Sequence, residues 1–316
     1  MVKNKVFLRA VSVILSAVIL AGAGSLSGCS AFINDNAGSE ADGGNLPIEE
    51  ENKQDKIMAE FAALVKTDPK PDAIIEYMDK NIEDMSRDNA SIMLEELEKA
   101  QKNRLPAMEE RYDNGGPLQN SLMDIFKTDF DIDRIYDIED SELKSLLTET
   151  RNMGYKIETA EGMFFPIIDY RYVKKFSQYA AEDMKDYIDI MAAESDKVPA
   201  KDAALVIGWD EIIGRALAQE DFIKKHGNSP KAESIKELQK KYITFMLFGL
   251  NNTPLFSYDT KTMDPKAKET YIKAVKDNDG SRLMQLLGKY MEVLEKSNYK
   301  LSDEVDKFRK SAIEDN

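Results

Sequence analysis

The sequence predicts a mainly α-helical protein, either an irregular helical bundle or an α-solenoid-like stack of helical hairpins. Three observations predict this class. Apolar residues recur at spacings of three and four over most of the chain after residue 55, which is the period of one helix face. Turn clusters such as Asn114–Pro117 and Gly227–Pro230 separate these periodic stretches. Residues 155–168 alternate instead, and they predict one small β-hairpin.

Residues 55–150 are predicted to form an N-terminal helical region. Its first helix carries Ile57, Phe61 and Leu64 on one face and ends where two prolines interrupt residues 68–72. Further helices are predicted at about 74–82, from Ser86 onward, at 118–126 and after Asp140, whose side chain can cap the helix that follows. Pro106 is expected to kink or break the helix that begins near Ser86.

Residues 151–316 are predicted to form the β-hairpin and, after it, a C-terminal helical region. Pro166 cannot donate a ladder hydrogen bond, so the second strand of the hairpin is expected at an edge. Residues 203–222, which include Trp209, predict a helix that is buried nearly all round. Residues 232–250 predict a second helix that returns against the first one, and a further helical pair follows Pro254.

The segment Ala216–Ala232 carries a small residue, an aromatic residue at Phe222 and a turn that contains His226, Ser229 and Pro230. In this order the residues resemble the helix-turn-helix of tetratricopeptide-type repeats. Gly227 stands where the repeat pattern prefers proline, and no second copy recurs at a period near 34 residues. A generic helical hairpin is therefore the preferred interpretation.

The N-terminus carries a targeting pattern. Lys3, Lys5 and Arg9 precede an uncharged apolar run from Ala10 to Ala23, which has the length of a secretory signal peptide core. Next comes Leu26-Ser27-Gly28-Cys29, which resembles the lipobox of bacterial lipoprotein precursors. The resemblance implies cleavage between Gly28 and Cys29, removal of residues 1–28, and a diacylglycerol on the Cys29 sulfur. The alternative is a cytosolic protein with an N-terminal transmembrane helix.

Residues 29–54 predict a flexible tether, because Gly, Ser, Asn and acidic residues dominate and few apolar groups are available for burial. The expected location is the cell membrane, with the chain lipid-anchored on the extracytoplasmic side. Two acyl chains give stable anchoring where one chain gives marginal binding. The absence of any second cysteine agrees with an exported protein, since mispairing in an oxidising compartment is impossible.

Charge and composition exclude several functional classes. The chain has 43 Lys+Arg against 58 Asp+Glu, and this acidic balance argues against a nucleic-acid partner. One histidine and one cysteine leave no multi-histidine or multi-cysteine metal centre. No phosphate loop, dinucleotide fingerprint or nucleophile elbow is present, so no cofactor is expected.

Two segments are candidate binding sites. Acidic residues stand at the ligand positions of a calcium-binding EF-hand loop: Asp129, Asp131, Asp133, Asp137 and Asp140. Arg134 replaces the glycine that the sharp turn needs, so an acidic linker whose last residue caps the next helix is the competing interpretation. Aromatic residues near the β-hairpin predict a candidate groove for a peptide: Phe164, Phe165, Tyr170, Tyr172 and Tyr179.

We expect from these observations a membrane-anchored binding or scaffolding protein of the bacterial cell envelope, with a protein or peptide partner and no catalytic residues. The alternative is an enzyme that acts on cell-wall material through Asp and Glu alone. Such an enzyme requires a cleft with two carboxylates from different segments, at least one of them with a raised pKa.

Overall fold

The computed structural model describes residues 48–113, 116–126, 132–277 and 280–314, in which α-helices dominate. The helices are α1 (Ile48–Val65), α2 (Pro71–Asn81), α3 (Arg87–Tyr112), α4 (Gly116–Ile125), α5 (Ser141–Asn152), α6 (Tyr170–Ser177), α7 (Glu182–Asp196), α8 (Trp209–Lys225), α9 (Ala232–Phe248), α10 (Pro265–Asp277), α11 (Arg282–Lys296) and α12 (Asp303–Glu314). The predicted all-α class is confirmed. Within the described ranges no helix combines the length and the apolar character that a membrane span needs.

The strands in the described ranges form three antiparallel hairpins, each of two strands. They are β1 (Tyr155–Ala160) with β2 (Met163–Ile168), β3 (Ala200–Lys201) with β4 (Ala204–Leu205), and β5 (Gly249–Leu250) with β6 (Thr253–Pro254). The first is the predicted hairpin, in which Tyr155 pairs with Ile168 and Ala160 pairs with Met163. Glu161 and Gly162 join its strands, and both have positive φ angles, as a two-residue type I′ turn requires.

Two hydrophobic cores hold the described chain together. The first contains buried residues from Ile57 to Ala192 together with Phe222 and Ile235, and the second contains buried residues from Ile207 to Ala312. We call residues 48–196 the N-terminal body and residues 197–314 the C-terminal body. The first β-hairpin belongs to the first core, so residues 155–168 pack with the N-terminal helices.

The α8–α9 hairpin belongs to both cores. Phe222 and Ile235, near its turn, are buried in the first core, whereas Ile213 and Tyr242 lie in the second. Leu238 packs against both cores. This hairpin covers the segment that resembles a tetratricopeptide-type repeat, and it connects the two bodies into one unit.

Three element boundaries differ from the sequence expectation. Helix α1 begins at Ile48, so residues 48–54 of the expected tether are helical. The Gln54 side chain then accepts a hydrogen bond from the Ser86 backbone at 2.9 Å. Pro106 does not end α3, because buried residues on both sides of it, including Gln101 and Met108, keep the helix on the core.

The third difference concerns residues 203–208, which were expected to be helical. They complete the β3–β4 hairpin, and α8 starts only at Trp209, with Gly208 as its N-cap. Positive φ angles at Asp202 and Ala203 turn the chain between the two strands. Trp209 is half-buried and donates its indole N–H to Asp264 at 3.2 Å. The apolar run therefore lies partly in a strand and partly in a helix.

Candidate binding surface

The turns of the three β-hairpins lie side by side and are cross-linked by hydrogen bonds. The Glu161 backbone N–H donates to the Asp202 carboxylate at 2.8 Å. Asn252, in the turn of the third hairpin, donates its backbone N–H to the Ala203 carbonyl at 2.8 Å and its side-chain amide to the Asp202 carbonyl at 2.6 Å. We call the surface formed by residues 161–162, 202–203, 251–252 and 257–262 the turn ridge. It joins the N-terminal body to the C-terminal body.

The middle turn of the ridge holds an unfavourable backbone conformation. Asp202 and Ala203 have φ angles of 50° and 55°. This left-handed region costs a residue with a Cβ roughly 1–2 kcal/mol, and glycine is the usual occupant. Both carbonyl groups of the turn accept hydrogen bonds from Asn252, which compensates part of that cost. Such strain is found preferentially at functional surfaces.

Tyr258 is the aromatic residue of the turn ridge. Its side chain is 62% exposed, yet its hydroxyl donates to the Asn251 carbonyl at 2.9 Å. The loop that carries it is closed by a hydrogen bond from the Ser257 backbone N–H to the Thr262 carbonyl at 2.9 Å. The hydroxyl therefore fixes the direction of the ring while most of the side chain remains exposed to solvent. A fixed, exposed tyrosine loses little conformational entropy when a partner packs on it.

Two further exposed apolar side chains lie close to the ridge in sequence. Met163 follows the first turn, and Val206 follows strand β4. The remaining exposed side chains of the ridge are mostly Asn, Ser, Thr and Asp. Loops that combine tyrosine with small polar residues on a rigid scaffold are typical of surfaces that recognise other proteins.

Glu98 forms a buried polar cluster between the N-terminal body and the turn of the α8–α9 hairpin. Tyr170 and Tyr187 donate their hydroxyls to its Oε1 at 2.5 Å, Lys102 Nζ lies 3.0 Å from Oε1, and Lys231 Nζ donates to Oε2 at 2.7 Å. Burial alone would raise the pKa of Glu98, but the two lysines and the hydrogen bonds lower it to about 2. The carboxylate stays charged and fastens Lys231 to the N-terminal body.

A second polar cluster surrounds Glu194 of α7. Tyr242 donates its hydroxyl to Glu194 at 2.5 Å, and the Arg215 guanidinium binds Glu194 at 3.3 Å and Glu211 at 2.5 Å. Burial raises the pKa of Glu194 despite these partners, and burial likewise lowers the pKa of Lys241. A raised carboxyl pKa beside a second carboxylate is what the enzyme alternative requires. Here, however, one guanidinium binds both carboxylates, and the Glu194 side chain is only 11% exposed.

The aromatic residues predicted to form a groove do not share an exposed surface. Phe164 and Tyr170 are buried in the first core, and Tyr170 packs edge-on against Tyr187. Phe165, Tyr172 and Tyr179 are half-buried, and the latter two pack against the same core. Phe164 and Tyr170 therefore contribute to the N-terminal core and do not line an exposed groove.

The acidic segment that resembles a calcium loop is only partly described. Asp129 and Asp131 lie outside the described residues, as does the side chain of Asp133. A 3₁₀ helix spans Ile132–Asp137, and Asp140 caps α5 by accepting the backbone N–H groups of Glu142 and Leu143. In the described part of the chain, no group of three or more His, Cys, Asp or Glu side chains is arranged to hold a metal ion. For Asp140, the capping interpretation is the one that the structure bears out.

Asp137 and Asp140 also line an open cavity of about 440 Å³. Asp124 and Glu139 complete its acidic rim, and apolar side chains that include Ile138 form its floor. The sequence indicated the acidity of this segment. It contained no comparable signal for the turn ridge, because the Asp202-Ala203 turn lacks the glycine that normally marks a tight turn.

Gly28 and Cys29, the predicted cleavage and lipidation site, lie outside the described residues. Comparison with known proteins adds no further assignment. The chain matches no protein-family model, and neither a curated protein nor a solved structure shows significant similarity to it.

Proposed function

We propose that the mature chain is a lipid-anchored extracytoplasmic protein of the bacterial cell envelope that binds a protein or peptide partner through the turn ridge. The anchor is supported by the lipobox-like residues Leu26–Cys29 behind a basic and apolar leader. The binding role rests on one observation above all: Tyr258 is held by its hydroxyl while its ring is exposed.

The ridge supports binding because its geometry exists before any partner arrives. Four backbone segments are cross-linked there by short hydrogen bonds, so little ordering remains to be done on association. Met163, which follows the first turn of the ridge, supplies further exposed apolar area. An exposed aromatic anchor with a polar rim has the composition of an interface centre.

The anchor is tested at the proposed lipidation site. Cys29→Ala removes the only sulfur that can carry the diacylglycerol, so metabolic labelling with a palmitate analogue should label the native chain and not the variant. In membrane fractionation, the variant should be absent from the lipid fraction that contains the native chain. Labelling of the variant, or a native chain that retains residues 1–28, would contradict the anchored location.

The ridge is tested by a pair of exposed tyrosines. A photo-crosslinking probe at position 259, next to Tyr258 on the ridge and exposed, should crosslink to one defined partner, and Tyr258→Ala should abolish that crosslink. Tyr136→Ala is the matched control, because Tyr136 is 65% exposed and stands on the 3₁₀ helix of the N-terminal body, away from the ridge. Equal crosslinking by the two variants would exclude the ridge as the binding surface.

The enzyme alternative depends on Glu194 and Glu211. If the chain hydrolyses cell-wall fragments, Glu194→Gln should eliminate that turnover, because the raised pKa of Glu194 marks it as the only candidate acid of the pair. Turnover of purified fragments by the native chain, lost in Glu194→Gln and retained in Tyr258→Ala, would favour the enzyme over the binding protein.

A further inference from the structure

The two bodies differ strongly in charge. Residues 48–196 contain 36 acidic and 19 basic side chains, whereas residues 197–314 contain 18 acidic and 21 basic ones. The N-terminal body therefore carries a net formal charge of −17 and the C-terminal body one of +3. The shared α8–α9 hairpin therefore joins a strongly acidic body to a weakly basic one.

The unpaired cations of the C-terminal body concentrate on α10 and α11. Six exposed cations there have no ion-pair partner within 4.0 Å among the described residues: Lys266, Lys273, Lys276, Arg282, Lys289 and Lys296. Exposed acidic residues on these two helices are fewer, namely Glu269, Asp277, Glu292 and Glu295. Ile272 lies beside Lys273 on α10 and is 49% exposed. This surface, the α10–α11 face, combines free positive charge with an exposed aliphatic side chain.

We propose that the α10–α11 face is the side that the anchored protein turns toward an anionic lipid surface. The inference rests on the proposed lipid anchor and adds an orientation to it. A bilayer that contains anionic lipid attracts lysines near its surface and repels the acidic N-terminal body. Since the anchor supplies the affinity, the face has only to select one orientation among many.

The chain between the anchor and α1 is long enough for this orientation. Eighteen residues, 30–47, separate Cys29 from the start of α1 at Ile48. Fully extended, such a segment spans at most about 65 Å. A folded unit of this size has a radius of gyration of about 18 Å, so any of its faces can reach the bilayer. Charge, and not the attachment point, then decides which face does so.

The test uses the lipidated full-length chain, in which the only native cysteine is blocked by its lipid. A single new thiol can therefore carry a fluorophore: Ile272→Cys on the α10–α11 face, or Glu110→Cys on α3 as the N-terminal reference. Both positions are exposed. Quenching by a lipid-borne quencher is measured on vesicles of phosphatidylcholine with and without phosphatidylglycerol. We expect severalfold stronger quenching at position 272 than at 110 with phosphatidylglycerol, and loss of that difference at high salt, where charges are screened within a few ångströms.

A charge-matched pair of variants separates the face from net charge. Reversing Lys266, Lys273 and Lys276 to Glu should remove the difference in quenching between positions 272 and 110. Lys224, Lys240 and Lys307 on α8, α9 and α12 are exposed and have no ion-pair partner in the part of the chain that the structure describes. Reversing them to Glu changes the net charge equally and should preserve the difference in quenching. Equal quenching at positions 272 and 110, or equal effects of the two triple variants, would overturn the orientation. Failure of the native chain to float with either vesicle would instead contradict the lipid anchor itself.

Discussion

At the scale of single residues, two buried glutamines show opposite degrees of hydrogen bonding. The amide of Gln119 donates to the carbonyls of Tyr112 and Phe164 at 2.8 and 2.9 Å and accepts the Phe164 N–H at 2.7 Å. It pairs with both backbone groups of Phe164, as a neighbouring strand would do, and so closes the outer edge of β2. The amide of Gln219 is fully buried on α8, and neither its nitrogen nor its oxygen has a partner among the described residues.

Gln119→Met should destabilise the protein. Methionine fills a similar volume but leaves the backbone N–H and C=O of Phe164 buried without partners, and each such group costs about 1–3 kcal/mol. We expect a loss of about 2–4 kcal/mol in the free energy of unfolding, measured by urea denaturation. An unchanged denaturation midpoint would show that Gln119 does not close the strand edge.

Gln219→Met should act in the opposite direction. The same substitution here removes an amide that was desolvated without compensation, so we expect a gain of about 1 kcal/mol in the free energy of unfolding. For a protein of this size, the melting temperature should rise by about 2–4 °C. A lower melting temperature would mean that the Gln219 amide has a partner in solution.

The sequence predicted some of these residue roles and not others. The cap formed by Asp140 followed from a short acidic side chain before a helical period, which is a local signal. The Gln119–Phe164 pairing joins residues 45 positions apart, and neither residue type indicates such a contact. The role of Tyr258 was not predicted either, because its ring is fixed by a hydrogen bond to the Asn251 carbonyl that neither residue type indicates.

At the scale of elements, the α8–α9 turn is held by the ion pair of Glu98 and Lys231. Glu98 comes from α3, whereas Lys231 is the residue before α9. Both side chains are almost fully removed from solvent. A buried ion pair of this kind is costly to break, because the remaining charge is left without compensation.

Glu98→Gln should therefore destabilise the protein and change its response to acid. In the native chain the folded-state pKa of Glu98, about 2, lies below its ordinary value of 4.5. The stability that this shift contributes, about 3 kcal/mol, is complete above pH 4.5 and is lost as the pH falls toward 2. The free energy of unfolding of the Glu98→Gln variant should be lower by about that amount at pH 7. It should then decrease less than that of the native chain as the pH falls. Glu110→Gln, an exposed substitution, is the control; similar acid profiles for all three proteins would contradict the role of Glu98.

Element types were largely predictable, whereas three boundaries were not. The periods of the helices and the alternation of residues 155–168 are local features, and the structure confirms them. Continuation of α3 through Pro106 and the division of residues 203–222 between a strand and a helix depend on packing. Local propensity favoured a break in the first case and one helix in the second, and tertiary contacts decided otherwise.

At the scale of the whole molecule, the α8–α9 hairpin makes the two cores interdependent. Two separate domains would be joined by a linker that contributes to neither core. Here one helix, α8, places Ile213 in the second core and Phe222 in the first. The ion pairs of Glu98 and Glu194 cross the same junction. Unfolding either core therefore removes part of the support of the other.

We consequently expect one cooperative unfolding transition. Phe222→Leu weakens the first core and Ile213→Val weakens the second, each by about 1 kcal/mol. Both variants should shift a single calorimetric transition as a whole, and their effects should add, because the two positions belong to different cores. If the bodies were independent, calorimetry would resolve two transitions, and each substitution would move only one of them. The same measurement on the Glu98→Gln variant distinguishes the apolar from the ionic part of the junction: separation into two transitions only in that variant would show that the ion pair, and not the shared hairpin, couples the cores.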